Sequence, residues 1–143
     1  MLYSKDITVP ANTAETAKQT TDLKIADGVI HKVSILFPTG CVCLVKIQMF
    51  EGGHQFISST EGQYLSGDGE AVDIPEFYEI KGGPRYITIK TWNLDDTYDH
   101  TLQIRIYVLP KEYLLPAGQA ETFIQMLRHI FVDKFELKKE EGE

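Results

Sequence analysis

The ten residues TWNLDDTYDH, Thr91 to His100, hold a Trp, a Tyr, a His and three carboxylates, and two chemistries suggest themselves. Asp95, Asp96 and Asp99 could supply part of the six to eight or so oxygens that a Ca²⁺ ion takes. The spacing is not that of an EF-hand loop, since it has neither the central Gly nor the distal Glu. A Zn²⁺ site built on Asp99 and His100 is disfavoured, because neighbouring residues of a strand face opposite sides. The second chemistry is carbohydrate binding, with the Trp92 and Tyr98 rings presented beside Asp and Asn. Against both stands a plainer expectation. Asn and Asp bond their own backbone and tolerate left-handed conformations, so the stretch reads first as the turn of a hairpin.

Other candidates for chemistry are weaker. SGDGE, Ser66 to Glu70, reads as a tight turn, and no GxxxxGK[ST] phosphate loop exists. His31, His54, His100 and His129 fall in no GxSxG or HExxH context. Cys41 and Cys43 lie in the apolar run CVCLVKI, where a strand puts both on one face as reduced core residues. Paired carboxylates for glycoside hydrolysis stay open, because the separation of the acids cannot be read from sequence. The expectation is a protein that is not an enzyme and has no cofactor, with Ca²⁺ as the alternative.

The elements that must position these residues follow from the pattern of the chain. Its 143 residues suit one domain, and no apolar run is long enough to span a bilayer. The start, MLYSKDITVP, has no basic segment followed by an apolar one, so no signal peptide is expected and synthesis in a host cytoplasm is. The net charge of −7 argues against nucleic acid as a partner. Acid is concentrated: Thr60 to Ile80 holds six acids and no Lys or Arg, and Asn93 to His100 holds three more with no base. Those patches read as solvated loops, or else as a cation site or a face for a basic partner.

Alternation with period two runs through the first 110 residues. DITV, DLKI, VIHKVSILF, CVCLVKIQMF, GGHQFIS, AVDI, FYEI, RYITIKTWN and TLQIRIYVL read as eight or nine strands, with turn signals roughly every ten residues. VIHKVSILF and CVCLVKIQMF, joined by PTG, read as a hairpin. Pro10 to Thr21 reads as a polar arm. The predicted fold is all-β, an antiparallel and jelly-roll-like β-sandwich over 1–112, followed by a C-terminal amphipathic α-helix and charged tail over 113–143. In that helix Phe123, Ile124, Leu127, Ile130, Phe131 and Phe135 form an apolar stripe near half the circumference, broader than a surface helix needs. Such a helix must be covered, so these six residues are the expected interface for self-association or for a partner.

ITVPANT, GVIHKVSILFPTGC with VKIQMF, GDGE and TYDHTLQIRIYVLP together resemble small β-sandwich proteins encoded among the virion structural genes of tailed phages and of viruses of thermophilic hosts. The likeness covers about residues 5–110 and carries no catalytic residue. It implies a jelly-roll building block, such as a capsid decoration protein, attached to a virion surface. The expected partners are therefore copies of itself, with a trimer favoured, and a larger assembly such as a capsid, and not nucleic acid or a membrane. The alternative is a carbohydrate-binding module, calcium-assisted.

Overall fold

The computed structural model describes residues 1–111, 119, 122 and 124–132. Two compact units divide the chain, Met1–Lys111 and Glu112–Glu143. In the first, eight strands form two antiparallel four-stranded sheets. They are β1 (Leu2–Val9), β2 (Gln19–Ile25), β3 (Gly28–Phe37), β4 (Val45–Glu51), β5 (His54–Ile57), β6 (Glu70–Ile80), β7 (Arg85–Asn93) and β8 (His100–Pro110). The sheet orders are β1-β8-β3-β6 and β2-β7-β4-β5. First pairs with last, second with seventh, third with sixth and fourth with fifth, while β3–β8 and β4–β7 contacts complete the sheets. This is the jelly roll: a long antiparallel ribbon wound so that its arms alternate between two layers.

Alternation decides which face of each strand is buried. Val33, Ile35 and Phe37 of β3 point inward with Leu102, Ile104, Ile106 and Val108 of β8. Val45, Ile47 and Met49 of β4 and Ile87 and Ile89 of β7 meet them from the second sheet. The interior is thus mainly aliphatic, with Phe37 and Phe56 as its buried aromatic members. Burial of each such side chain stabilises by roughly 1.5–3 kcal/mol.

Winding the ribbon changes several local expectations. β3 and β4 lie in different sheets, as do β7 and β8, so neither pair is a hairpin. β4–β5 is the hairpin between consecutive strands. AVDI and FYEI are one strand, β6, which runs through Pro75. The position permits it, since β6 is an edge strand and a missing N–H is tolerated there. Pro10 to Thr21 is no free arm. Thr13 bridges to Asn93, Glu15–Ala17 forms a 3₁₀ turn, and Gln19 to Thr21 begin β2 along β7.

The cysteine run also bends. Val42 (φ 47°) and Cys43 (φ 59°) are left-handed, and the Leu44 N–H closes the turn on the Cys41 carbonyl at 2.8 Å. Cys41 is buried and Cys43 exposed, so they do not share a face as expected. Burial pushes the Cys41 thiol up, and its Sγ donates to the Gly67 carbonyl at 2.9 Å.

Candidate functional site

The six-residue corner from Leu94 to Asp99 carries the chain from the end of β7 to the start of β8, in the opposite sheet. Asn93 anchors it. This fully buried carboxamide donates to the carbonyls of Val9 (3.2 Å) and Tyr98 (3.0 Å) and accepts from the Asp95 N–H (2.9 Å). One side chain therefore ties the end of β1 to both ends of the corner.

Asp95 repeats the device one step on. Its Oδ1 accepts from the N–H groups of Thr97 (2.9 Å) and Tyr98 (3.2 Å), and its Oδ2 meets His100 Nε2 at 2.8 Å. The Thr97 N–H, then the His100 ring, hold the Asp95 carboxyl below the usual carboxylate range. Asp99 Oδ1 takes the Ala11 N–H at 2.8 Å, and Asp96 Oδ1 takes the Thr97 hydroxyl at 2.8 Å. The backbone carbonyls of Asp95 and Asp96 receive the N–H and carboxamide of Asn12, at 2.8 and 3.1 Å. Leu94 N–H reaches the Leu44 carbonyl at 3.0 Å. Three strand connections are knotted at one corner of the sandwich.

The three aspartates proposed as calcium ligands thus each accept from a different donor. Among the described residues, no group of three or more His, Cys, Asp or Glu side chains is placed to hold a metal ion. The Asp95–His100 pair has the form of a base and its orienting carboxylate. Its visible work is structural: both groups are buried at the first residue of β8, beside the end of β1.

Trp92 and Tyr98 part company. Tyr98 is 67% exposed on the corner, whereas Trp92 is 1% exposed. The indole does not point into the central core. It lies on the outer side of β7, opposite Lys46 of β4, beneath a lid of its own. The Tyr64 ring meets it edge-on at 5.3 Å, and the Lys18 ammonium sits 4.6 Å from its centroid. Gln48 and Gln55, both buried, hold that lid: each donates to the Gln63 carbonyl at 2.8 Å, and Gln55 Oε1 accepts from Gly62 N–H. Nothing in the local sequence flagged these two glutamines, because their partners lie in the irregular loop after β5.

Two clefts flank the β5–β6 connection. One, of about 250 Å³, is lined by Phe50, Gly53, His54, Gln55, Ser59 and Glu61. The other, of about 170 Å³, is lined by Phe56, Ile57, Ser58, Ser59, Leu65, Ile74 and Glu76. Tyr78 stands at this open edge, stacked on Phe56 at 4.7 Å and donating across the sheets to Glu51 at 2.9 Å. Burial, then the Glu51 carboxylate, push its phenol up to about 12.

In the second unit, residues 124–132 are helical. Ile124 (50%), Met126 (58%), Leu127 (39%), Ile130 (51%) and Phe131 (70%) are exposed, as is Val132. Phe123 and Phe135, the other members of the predicted stripe, lie outside the described residues. No described helix is long and apolar enough to cross a membrane.

No family model matches the chain, and no curated protein matches it. Among solved structures it is similar to FlhE, known from a crystal structure, with a TM-score of 0.36 and 9% identity over 74% of this chain and 94% of that one. A likeness at that level carries no argument about function.

Proposed function

We propose that this protein is a non-enzymatic structural subunit whose C-terminal helix joins copies of the chain, the sandwich serving as a rigid body in a larger assembly. The observation that carries the reading is the helix. Five apolar side chains within eight residues, Ile124, Met126, Leu127, Ile130 and Phe131, are 39–70% exposed. On a wheel of about 100° per residue they fall within about 160° of one another, a continuous surface. Full burial of such a side chain is worth roughly 1.5–3 kcal/mol, while association costs on the order of 4–15 kcal/mol. Several must therefore be buried at once. Helices from two or more copies packed together do this, and a closed trimer is the arrangement we favour.

A virion surface as the setting rests on the strand and turn resemblance, with the jelly roll as an analogy of fold. The same architecture also builds lectin and cupin domains. The carbohydrate reading has less to stand on, since it needs the face of Trp92 and that ring is covered by Tyr64 and Lys18. Replacing Leu127 and Phe131 together by Asp should lower the mass seen by light scattering and leave the unfolding temperature of the sandwich unchanged. An oligomer of unaltered mass would refute the helix as the joint.

A further inference from the structure

The outer face of the β2-β7-β4-β5 sheet carries an unusual set of side chains for a chain with a net charge of −7. Cross-strand partners point to the same side of a sheet. The register therefore places Trp92 with Lys46, and Thr20 with Lys90 and Gln48. Thr88 is set between Asp22 and Phe50, and Lys24 lies beside Tyr86. Lys18 joins this face over Trp92.

Three of these ammonium groups rest on rings: Lys18 on Trp92 (4.6 Å), Lys46 on Tyr64 (4.9 Å) and Lys90 on Phe50 (4.6 Å). Among the described residues, none of Lys18, Lys24, Lys46 and Lys90 forms an ion pair. Asp22, the carboxylate that the register places on this face, accepts from the Thr88 hydroxyl at 2.8 Å. Three ammonium groups are thus held over aromatic rings without a carboxylate partner, which lowers the entropy lost when an anionic surface settles on them.

The complement is on the same molecule. β6 is a free edge strand of the other sheet, carrying Glu70, Asp73, Glu76 and Glu79. No Lys or Arg occurs from Thr60 to Ile80. The compensation that exists is loose, Lys32 at 3.9 Å from Asp73 and Lys81 at 3.6 Å from Glu79. Phe77, 74% exposed, stands in the middle of this strand as an apolar contact point.

We infer that the lysine–aromatic face of one copy docks on the acidic β6 edge of the next, a second and head-to-tail contact beside the helix-mediated joint. The patches lie in different sheets, so the contact is heterologous and builds either a ring or an open array. A free polyanion is the competing occupant, but it lacks the apolar contact that the exposed Phe77 of a second copy brings to the aromatic rings of this face. Between copies, charges more than about 8 Å apart are screened at physiological salt, so local complementarity decides. Docking on β6 would also cover a strand edge that is otherwise open to unwanted pairing.

The test uses two full-length variants, K46E/K90E and D73K/E79K, in sedimentation equilibrium at low and at high salt. Wild-type mass should fall as salt rises, each variant alone should stay smaller than wild type at low salt, and their equimolar mixture should recover the larger mass. The salt-sensitive step should persist when Leu127 and Phe131 are replaced by Asp, which separates this contact from the helix joint. Wild-type mass that ignores salt and matches that of both variants would overturn the inference. So would variants of unchanged mass in which K46E/K90E alone has lost binding to heparin, since the face would then serve a polyanion.

Discussion

Asp95 serves three partners with one carboxylate: it closes the turn at Thr97 and Tyr98, and it pairs with His100 at the base of β8. That aspartate belongs in a turn was legible from its type alone. The identity of the corner's distant neighbours was not, because the donors that Ala11 sends to Asp99 and Asn12 sends to Asp95 and Asp96 arrive from a connection some 80 residues earlier. The same holds for Trp92, whose lid of Lys18 and Tyr64 comes from two separate loops. A prediction follows at this scale from the lowered carboxyl of Asp95. A depressed folded-state pKa contributes stability that is present above the unfolded value of about 3.9 and is lost as the pH falls through the folded one. Asp95→Asn should therefore lower the melting temperature most near neutral pH, and the gap to wild type should shrink in acid. Thermal unfolding followed by circular dichroism from about pH 7 to about pH 2 reads this out. A gap constant across that range would show that the charge contributes nothing.

Among the elements, eight strands were legible because a half-buried strand alternates, and β8 shows it most cleanly, with Leu102, Ile104, Ile106 and Val108 all buried. Alternation names the buried face and is silent on the neighbour. Hence β3–β4 and β7–β8, consecutive and joined by turn residues, read as hairpins although each pair bridges the two sheets. The left-handed turn at Val42 and Cys43 was hidden for a related reason, since its residue types are those of a strand. Gly28, where β3 begins, is a case where only the structure gives the reason. With φ at 149°, a Cβ there would lie 2.3 Å from the Leu109 carbonyl oxygen of the neighbouring β8. Gly28→Ala should cost about 1–3 kcal/mol or more. Gly53→Ala, at φ 83° in open space, should cost only its backbone conformation. Urea denaturation of both variants checks this, and equal midpoints would mean that β3 and β8 separate there without loss.

At the scale of the whole molecule, the chain is a jelly roll with a mainly aliphatic interior, a lysine-bearing outer face on one sheet, an acidic edge strand on the other, and a separate C-terminal unit whose described helix is apolar and exposed. The sandwich class could be read from strand count and turn spacing. The strand order could not, since β1 pairs with β8 across the full length of the sandwich, Leu2 opposite Tyr107. The helix was legible from its stripe, and it carries the proposed function. Isolated helices are marginal in water and draw most of their stability from packing of an apolar face, so lasting protection of the amides of 124–132, whose apolar side chains are exposed, requires something packed on them. Hydrogen exchange of residues 124–132, followed across a dilution series, is the most direct measurement. Association through the helix predicts that protection there rises with protein concentration while the amides of β3 and β8 stay constant. Protection that is the same at every concentration, with the chain sedimenting as a monomer throughout, would contradict it.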